Sequence, residues 1–355
     1  MNDGNDFDKP EPRIPSRESR VFDSRLPTPD SRTGHQPVLL REAVEFLDVR
    51  PDGVFIDATL GAGGHAAAIL GVLESGQGRL LGIDRDPVAL AQASARLSRW
   101  HEKVMTVQGN FAEIDALHRA SGLPPADGML ADLGLSSMQL EEAARGFSFN
   151  LPGPLDMRMD PESETTAEAI VNHTPERDLA DLIYQLGEER HSRRIAREIV
   201  KARPIRSTTE LAQVVTRAIP SRAGLYNLHP ATRTFMALRM AVNRELENLG
   251  AFLSKALDVL APGGRLVMIS FHSLEDRPIK QAFQAWKREG RANLLTKHVV
   301  RPGADEIRTN PRARSAKLRA AEKNRDSGLA IRDSGGSRFP ASDPSGESRA
   351  LNPES

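Results

Sequence analysis

This sequence predicts an α/β protein with a mostly parallel sheet, and two observations support that fold class. Short apolar runs alternate with amphipathic helical segments from about residue 40 to residue 132. The same alternation returns at residues 265–271, after a long stretch without a convincing strand. Strands that alternate with helices form parallel sheets with right-handed crossovers. The interruption predicts helices inserted between two parts of one sheet.

Each predicted element follows from its local pattern. Strands are predicted at 54–58, 79–84, 104–108, 127–132 and 265–271, with weaker patterns at 294–300 and 315–321. Helices between them are predicted at 64–74, 87–99 and 111–120, and within the insertion at 176–186, 189–202 and 208–218. One long helix is predicted over 232–260, because Ala261-Pro-Gly-Gly264 stops it.

Length and composition predict the domain organisation. The chain has 355 residues, which exceeds a typical domain of roughly 100–200 residues. We predict a discontinuous sheet domain at 34–140 and 232–323, interrupted by a helical insertion at 141–231. Residues 1–33 and 324–355 are rich in Ser, Pro and Arg and lack apolar periodicity, so both are predicted to be disordered tails.

Composition also excludes several classes of function. The net charge is +0, so nucleic-acid binding has to use local basic patches. No apolar run approaches the roughly 20 residues that cross a bilayer, and no signal peptide is visible, so we expect a cytoplasmic protein without membrane contact. The absence of Cys excludes disulfides, iron–sulfur clusters and cysteine zinc sites, and we predict no metal site. It also removes the thiolate that attacks carbon 5 of a pyrimidine.

A glycine-rich turn indicates a cofactor site. Asp57 ends the first predicted strand, Gly61, Gly63 and Gly64 precede a helix, and Asp84 ends the second strand. Glycines let a ligand approach backbone amides at a helix N-terminus, and an acid on the next strand can accept hydrogen bonds from ribose hydroxyls. The spacing differs from dinucleotide sites, and no Walker Lys follows. S-adenosylmethionine is therefore favoured, with tight strand–helix packing as the alternative.

Two further segments follow strands at the same sheet edge, where ligands of open α/β sheets bind. Asp132 follows the fourth strand, and its carboxylate could orient an exocyclic amine towards an electrophilic methyl group. The alternative is that Asp132 caps the next turn. Phe111 follows the third strand and either packs on the adenine of a cofactor or belongs to the core. Asn110 beside it could hydrogen-bond the adenine rim.

The string Phe-His-Ser-Leu-Glu-Asp-Arg at 271–277 places titratable groups after the later strand. A catalytic role competes there with helix capping by Ser273 and acids in the first turn. Two basic clusters are candidate phosphate contacts, each with a solvated charged face as the alternative. The first holds Arg190, Arg193, Arg194, Arg197, Lys201, Arg203 and Arg206, and the second holds Arg312, Arg314, Lys317, Arg319, Lys323 and Arg325.

Ten strings follow one another in the part of the chain from 35 to 323. They are His35-Gln-Pro-Val-Leu-Leu, Thr59-Leu-Gly-Ala-Gly-Gly-His65, Asp84-Arg-Asp-Pro87, Asp132-Leu-Gly-Leu-Ser-Ser137, Arg145-Gly-Phe-Ser-Phe149, Pro154-Leu-Asp-Met-Arg-Met-Asp160, Gly187-Glu-Glu-Arg190, His229-Pro-Ala-Thr-Arg-Thr-Phe235, Ser270-Phe-His-Ser-Leu-Glu-Asp-Arg277 and Asn310-Pro-Arg-Ala-Arg-Ser315. Together they resemble the ribosomal RNA small-subunit methyltransferase H family, also called MraW.

The resemblance implies a class I S-adenosylmethionine-dependent methyltransferase, with a Rossmann-like sheet and an inserted helical substrate-recognition domain. It implies methylation of the N4 amine of a cytidine in the decoding region of bacterial 16S rRNA, free or within the small ribosomal subunit, and a homodimer is compatible with it. The cofactor contacts it implies are Gly63, Gly64, His65, Asp84, Phe111, Asp132 and Gln139.

The chain departs from the family pattern at two positions, where Met138 replaces the usual Pro and Met236 the usual Gln. The Asp-Pro-Pro-Tyr signature of amino-methyltransferases is absent, so a stacking aromatic has to come from elsewhere, and Phe147 or Phe149 are candidates. Two alternatives stay open. One is a methyltransferase for another acceptor, such as an amino group of DNA, which requires base flipping, or a small molecule. The other is a non-catalytic assembly factor.

Overall fold

The computed structural model describes residues 37–219 and 229–325. The predicted N-terminal tail at 1–33 lies outside the described residues, and so does all of the predicted C-terminal tail except Asn324 and Arg325. Residues 220–228 of the predicted insertion are also outside them. Within the described ranges, no helix combines the length and apolar character that a membrane crossing requires.

Seven strands form a single sheet. They are β1 (Val54–Asp57), β2 (Arg79–Asp84), β3 (Val104–Gln108), β4 (Ala126–Asp132), β5 (Leu260–Ser270), β6 (Ala292–Leu294) and β7 (Lys317–Lys323). Their order is β3-β2-β1-β4-β5-β7-β6, and β1 to β5 pair in parallel. Strand β7 runs antiparallel to both β5 and β6. The predicted α/β class with a mostly parallel sheet is confirmed.

Helices connect the strands and build the insertion. Those of the sheet region are α1 (Leu40–Leu47), α2 (Gly64–Leu73), α3 (Pro87–Arg96) and α4 (Ile114–Ser121). Those that follow β4 are α5 (Ser137–Glu141), α6 (Ala167–His173), α7 (Glu176–Gly187), α8 (Ser192–Ala202), α9 (Thr208–Ala218) and α10 (Thr232–Val242). The sheet region then continues with α11 (Glu245–Val259), α12 (Ser273–Arg288) and α13 (Ala304–Thr309).

Helices cover both faces of the sheet, which explains why its central strands are apolar throughout. All four residues of β1 are buried. Val54 and Ile56 pack with Phe252 of α11 and Phe283 of α12 on one face. Phe55, between them in the sequence, belongs to the cluster on the other face with residues of α1 and α2. The period of two along a strand therefore sends alternate side chains to separate cores.

The helices after β4 share a hydrophobic core of their own. Ile183 of α7, Ile195 of α8 and Leu211 of α9 are fully buried in it. Helix α10 contributes Phe235 and Leu238 to the same core, although the predicted boundary at 231 assigns this helix to the sheet domain. The domain limits stay a prediction, and by packing α10 belongs with the insertion.

Several element bounds differ from the sequence predictions. The helix predicted over 232–260 is two helices, because Arg244 adopts a left-handed backbone with φ 50°. Asn243 stabilises this break by hydrogen bonds to the distant backbone of Met157 and Met159. The strand predicted at 294–300 is not formed; the short strand β6 covers Ala292–Leu294 instead, and a single bridge joins Val300 to Leu318.

Candidate functional site

A cavity of about 750 Å³ opens at the carboxyl edge of the sheet. The loops that follow β1, β2, β3, β4 and β5 line it. Residues just before α1, on α3 and on α11, Met159 of the insertion, and Asn310 and Arg312 of the C-terminal segment complete the lining. Six of the seven predicted cofactor residues line this cavity, namely Gly64, His65, Asp84, Phe111, Asp132 and Gln139. The exception is Gly63.

The glycines of the turn after β1 have different roles. Gly61 lines the cavity with φ 51°, and its N–H donates to Asp84 Oδ2 at 2.7 Å. Gly63 adopts φ 74°, and a Cβ atom there would lie 3.4 Å from Ala93. Gly64 leaves space for the ring of Pro37, which a Cβ atom would overlap. Gly63 therefore shapes the turn against α3, and Gly61, which is not among the contacts implied by the resemblance, lines the cavity.

Asp84 is held in place by backbone amides. Its Oδ2 accepts from Gly61, and its Oδ1 accepts from the N–H of Asp86 at 2.9 Å. Burial raises the pKa of Asp84, while these two hydrogen bonds oppose that shift. Each carboxylate oxygen has a second lone pair, so Asp84 can still accept from a ligand in the cavity. The arrangement suits hydroxyl groups such as those of a ribose.

Asp132 is less completely satisfied than Asp84. Its Oδ1 is buried and has no hydrogen-bond partner among the described residues. Its Oδ2 lies 3.7 Å from Nδ1 of His65, whose Nε2 is 3.1 Å from the carbonyl oxygen of Val38. Burial first, and then the charges of Asp57 and Glu275, raise the pKa of Asp132 well above its ordinary value. The side chain as a whole is 24% exposed and lines the cavity, so Asp132 can bind a polar group there.

Asp57 lies at the start of the turn that follows β1. It ends β1, is 1% exposed, and its Oδ1 accepts from the N–H of Thr59 at 3.2 Å. Burial raises its pKa to about 7, with the Thr59 hydrogen bond opposing and the charge of Asp84 adding to the shift. The hydroxyl of Thr59 accepts from the N–H of Asp132 at 2.6 Å. This turn therefore links the ends of β1 and β4.

The segment after β5 forms an ion-pair network, with Glu275 and Asp276 in the first turn of α12 as the capping alternative expects, but Ser273 is not the cap. His272 is the N-cap residue of α12, and the Ser273 hydroxyl donates to Glu188 at 2.7 Å instead of capping. His272 Nε2 lies 3.0 Å from Glu275 Oε1. Burial alone would raise the pKa of Glu275, but His272 and then Arg239 lower it below the ordinary value.

Donor atoms of Glu245, His272 and Glu275 in this network lie within 4.8 Å of one another, a spacing that metal ligands also have. However, both carboxylate oxygens of Glu245 already accept from the Arg239 guanidinium, each at 2.8 Å. Arg239 thus supplies the positive charge that a metal ion would bring. The cluster is explained as a buried ion-pair network.

Phe111 lies on the β3 side of the cavity. Its ring contacts Phe252 edge to face, with 5.2 Å between the ring centroids, and it also lines the cavity. The two alternatives of the sequence analysis, core packing and ligand contact, are therefore compatible. The Asn110 side chain is the N-cap of the following turn and accepts from the N–H of Ala112 at 3.0 Å.

Gln139 connects the loop after β4 to the start of α3. Its Nε2 donates to Asp86 Oδ2 at 2.8 Å, and its Oε1 accepts from the Ser136 N–H at 3.1 Å. Asp86 is 1% exposed, caps α3, and forms an ion pair of 3.0 Å with Arg145. Sequence reasoning missed Asp86 and Arg145. An acid just before a Pro at the predicted helix start is the signal for the cap.

The aromatic candidates for base stacking differ in accessibility. Phe147 is 6% exposed and belongs to the core of the insertion. Phe149 stacks on His229, with 4.6 Å between the ring centroids, and contacts Phe235 edge to face. Neither residue lines the cavity.

The two positions that depart from the family pattern lie on helices. Met236 is half-buried on α10 and is not among the residues that line the cavity. Met138 lies on α5, and its side chain is outside the described part of the structure.

The two basic clusters also differ. In the second, Arg319 and Lys317 both pair with Asp276, at 2.7 and 3.8 Å, and Lys323 donates to the carbonyl of Leu260. In the first, Arg190 and Arg193 are exposed, and neither forms an ion pair with any residue in the described ranges. The first cluster thus presents exposed cations to a polyanion, and in the second cluster Arg314 and Arg325 are also exposed.

Comparison with known proteins agrees with this geometry. The sequence profile of the MraW methylase family matches residues 32–324. The ribosomal RNA small subunit methyltransferase H of Syntrophobacter fumaroxidans is 48% identical over 307 residues, covering 81% of this chain and 96% of that protein. The protein of the same name from Solibacter usitatus is 50% identical over 288 residues, covering 81% of this chain and 99% of that protein.

Among solved structures, TrmN from Thermus thermophilus is similar at a TM-score of 0.40 with 14% identity, covering 84% of this chain and 52% of that chain. This similarity is too low to assign the fold, so the assignment rests on the strand order. That order, with β7 reversed beyond β5, is the class I methyltransferase sheet that the resemblance implies. The sequence match extends through both parts of the sheet and the insertion between them, and on that ground the chain belongs to the MraW methylase family.

Proposed function

We propose that this protein transfers a methyl group from S-adenosylmethionine to the N4 amine of a cytidine in the decoding region of bacterial 16S rRNA. The observation that carries the proposal is Asp132. Its side chain is 24% exposed and lines a cavity whose other polar and aromatic groups suit a nucleoside cofactor. Membership of the MraW methylase family and the names of the relatives support the choice of substrate.

The cavity fits the cofactor by the chemistry of its lining. Asp84 offers carboxylate oxygens suited to ribose hydroxyls, and Phe111 offers an aromatic surface for adenine. Gly61 and Gly64 keep the turn after β1 free of side chains at the cavity wall. The Asp132 carboxylate, which lies beside His65, can attract a cationic group of the cofactor. Of the predicted contacts, Gly63 acts through the shape of the turn and Gln139 through its bond to Asp86.

The residues of the chain contribute orientation and electrostatics. S-adenosylmethionine, when bound, would supply an electrophilic methyl group and leave as S-adenosylhomocysteine, and the proton lost by the methylated amine would pass to water. The cytidine N4 is a weak nucleophile because its lone pair is delocalised into the ring, so it has to be held in line with that methyl group. Asp132 accepts a hydrogen bond from N4 and fixes its direction, which lowers the barrier by alignment and by local electrostatics. Glu275, whose pKa is lowered, provides negative charge on the same wall of the cavity.

The helical insertion and its basic cluster are assigned to the RNA. Exposed arginines such as Arg190 and Arg193 suit phosphate contacts of the small-subunit rRNA, either free or within the ribosomal subunit. A bacterial enzyme with this substrate works in the cytoplasm, and a homodimer is compatible with this arrangement.

The test is methyl transfer from labelled S-adenosylmethionine to small-subunit rRNA, offered both free and within ribosomal particles. Nucleoside digestion then identifies the labelled product. We expect N4-methylcytidine at one site, and the preferred form of the RNA shows when in assembly the enzyme acts. Label in another amino nucleoside, or label only on DNA, contradicts the acceptor. Intact cofactor binding with no label in any nucleic acid contradicts the proposal as a whole.

A further inference from the structure

One aromatic side chain of the cavity has no role so far. Phe271 follows β5 directly and is half-buried. It lines the same cavity as Asp132 and Glu275. On its buried side it packs against the hydrophobic cluster that covers one face of the sheet. The side chain thus lies between the core and the cavity, at the strand next to Asp132.

The ring of Phe271 covers the loop that follows Asp132. Gly134, two residues after Asp132, has φ 115°, a backbone conformation that favours glycine. A Cβ atom at Gly134 would lie 3.3 Å from Cδ2 of Phe271, which is closer than most real Cβ contacts. The glycine therefore lets the ring and the loop approach each other closely.

Hydrogen bonds hold the backbone of Phe271 in place. Its N–H donates to Oε2 of Glu275 at 2.9 Å. Oε1 of the same carboxylate lies 3.0 Å from His272, and the charge of Arg239 acts on it as well. The buried ion-pair network described above thus fixes the position from which the aromatic side chain reaches the cavity wall.

The other aromatic rings near the cavity are accounted for. Phe111 belongs to the β3 side, where Asp84 and the proposed adenine position lie. Phe147 is buried within the insertion, and Phe149 is stacked on His229. Among the described Phe, Tyr and Trp residues, only Phe111 and Phe271 line the cavity. Of these two rings, Phe271 follows the strand that pairs directly with the strand of Asp132.

We propose that Phe271 is a positioning residue that stacks on the pyrimidine ring of the target cytidine and presents its amino group to Asp132. This inference rests on the proposed function. Stacking on an aromatic ring fixes the plane of a base, and the exocyclic amine then points along the edge of that plane. Other amino-methyltransferases make this aromatic contact through an Asp-Pro-Pro-Tyr signature. This chain lacks that signature, and Phe271 would supply the contact instead.

The test uses the full chain with S-adenosylhomocysteine and an rRNA fragment that carries a fluorescent cytidine analogue at the target position. Stacking on an aromatic side chain quenches such a base. We expect quenching with the wild-type protein and with Phe271→Tyr, and its loss with Phe271→Leu. The KM for RNA should rise about tenfold or more in Phe271→Leu. The affinity for S-adenosylmethionine, measured by calorimetry, should stay unchanged, which also shows that the variant is folded.

Each contrary outcome has a separate meaning. Unchanged quenching and KM in Phe271→Leu, with an active wild-type protein, overturn this inference alone. Loss of quenching in Phe149→Leu but not in Phe271→Leu also overturns it and assigns the stacking to Phe149. A large loss of cofactor affinity in both Phe271→Leu and Phe271→Tyr overturns it by moving Phe271 to the cofactor site. A wild-type protein that methylates no cytidine of this RNA contradicts the proposed function and this inference together.

Discussion

The carboxyl edge of the sheet and the outer face of α8 concentrate charge in opposite ways. At the sheet edge, Asp57, Asp84 and Asp132 are acids that end neighbouring strands, and burial raises the pKa of each. On α8, the apolar residues Ile195 and Ile199 are buried, while the cations of the helix point outward. The sheet edge holds a few desolvated acids, whereas the outer face of α8 holds exposed cations.

The difference between these regions indicates two kinds of ligand. Burying an acid costs desolvation free energy, but its fixed hydrogen-bond partners hold it in one orientation. Such a group suits a small molecule that is also held in one orientation. An exposed Arg offers little geometry and strong attraction to phosphate, and its effect depends on salt. Variants of the sheet edge should therefore affect cofactor binding and the chemical step. Variants of α8 should affect only RNA binding and its salt dependence.

Asp132 gives the largest expected effect. Asp132→Ala removes the group that orients the acceptor amine, and losing one such preorganised contact typically costs about 10²-fold to 10³-fold in kcat. We expect that loss in single-turnover methylation assays, with RNA affinity unchanged. Asp127→Asn, at the opposite end of the same strand, is the matched control and should retain activity. Full methylation by Asp132→Ala would show that the catalytic assignment is wrong.

Asp84 should act on the cofactor. Asp84→Ala removes the acceptor for the N–H groups of Gly61 and Asp86 as well as for a ribose. Each charged hydrogen bond contributes about 1.5–3 kcal/mol, so we expect the Kd for S-adenosylmethionine to rise about 10-fold to 100-fold by calorimetry. Asp84→Asn, which keeps one oxygen, should lose less affinity. Equal affinities for all three proteins would place the ribose elsewhere.

The raised pKa of Asp57 should make the free energy of unfolding depend on pH. Its pKa is raised to about 7 in the folded protein, so the folded state binds this proton more tightly than the unfolded chain does. Its contribution to stability is complete below about pH 4 and is lost as the pH rises towards 7. The free energy of unfolding should fall by about 1 kcal/mol per pH unit between pH 5 and pH 7.

Urea unfolding at several pH values measures this component as the difference between the wild-type protein and Asp57→Asn, in which it should be absent. The neighbouring acids Asp84 and Asp132 have pKa shifts of the same sign and are present in both proteins. Asp178→Asn, at an exposed position on α7, serves as the control and should keep the wild-type slope. A wild-type slope in Asp57→Asn would mean that the pKa of Asp57 is close to its ordinary value.

Local sequence patterns predicted the strands and the acids at their ends. Because parallel strands present their carboxyl ends at one edge, spacing alone was enough to predict that Asp84 and Asp132 lie close together. Both line the same cavity. Features that depend on distant partners were not predictable in this way. The break at Arg244 relies on hydrogen bonds from Asn243 to residues about 85 positions earlier, so the helical pattern across it looked continuous.

The same limit applies to the side chains of the site. The sequence placed Ser273 at the start of a helix. It could not reveal that the Ser273 hydroxyl donates a hydrogen bond to Glu188, which lies on another element. The two basic clusters looked equivalent, because the acid that pairs with Arg319 and Lys317 is Asp276, about 40 residues away. Charge counts within a window describe composition, whereas ion pairing depends on the fold.

The exposed cations just before α8 and at its start give the smallest and most selective expected effect. Replacing Arg190 and Arg193 together by Ala removes two exposed cations without an ion-pair partner in the described part of the chain. We expect RNA affinity to fall a few-fold, and the slope of log K against log salt to decrease by about 1 for each lost phosphate contact.

Filter binding over a range of salt concentrations measures this slope, and S-adenosylmethionine affinity should stay unchanged. The matched control is Lys287→Ala with Arg288→Ala, which removes two exposed cations from α12. An equal loss of slope in both double variants would mean that RNA senses only the overall charge. An unchanged slope in the α8 variant would remove this face from the RNA site. A selective loss would show that the fold separates the two functions, with the polymer bound through exposed cations and the chemistry confined to the buried acids.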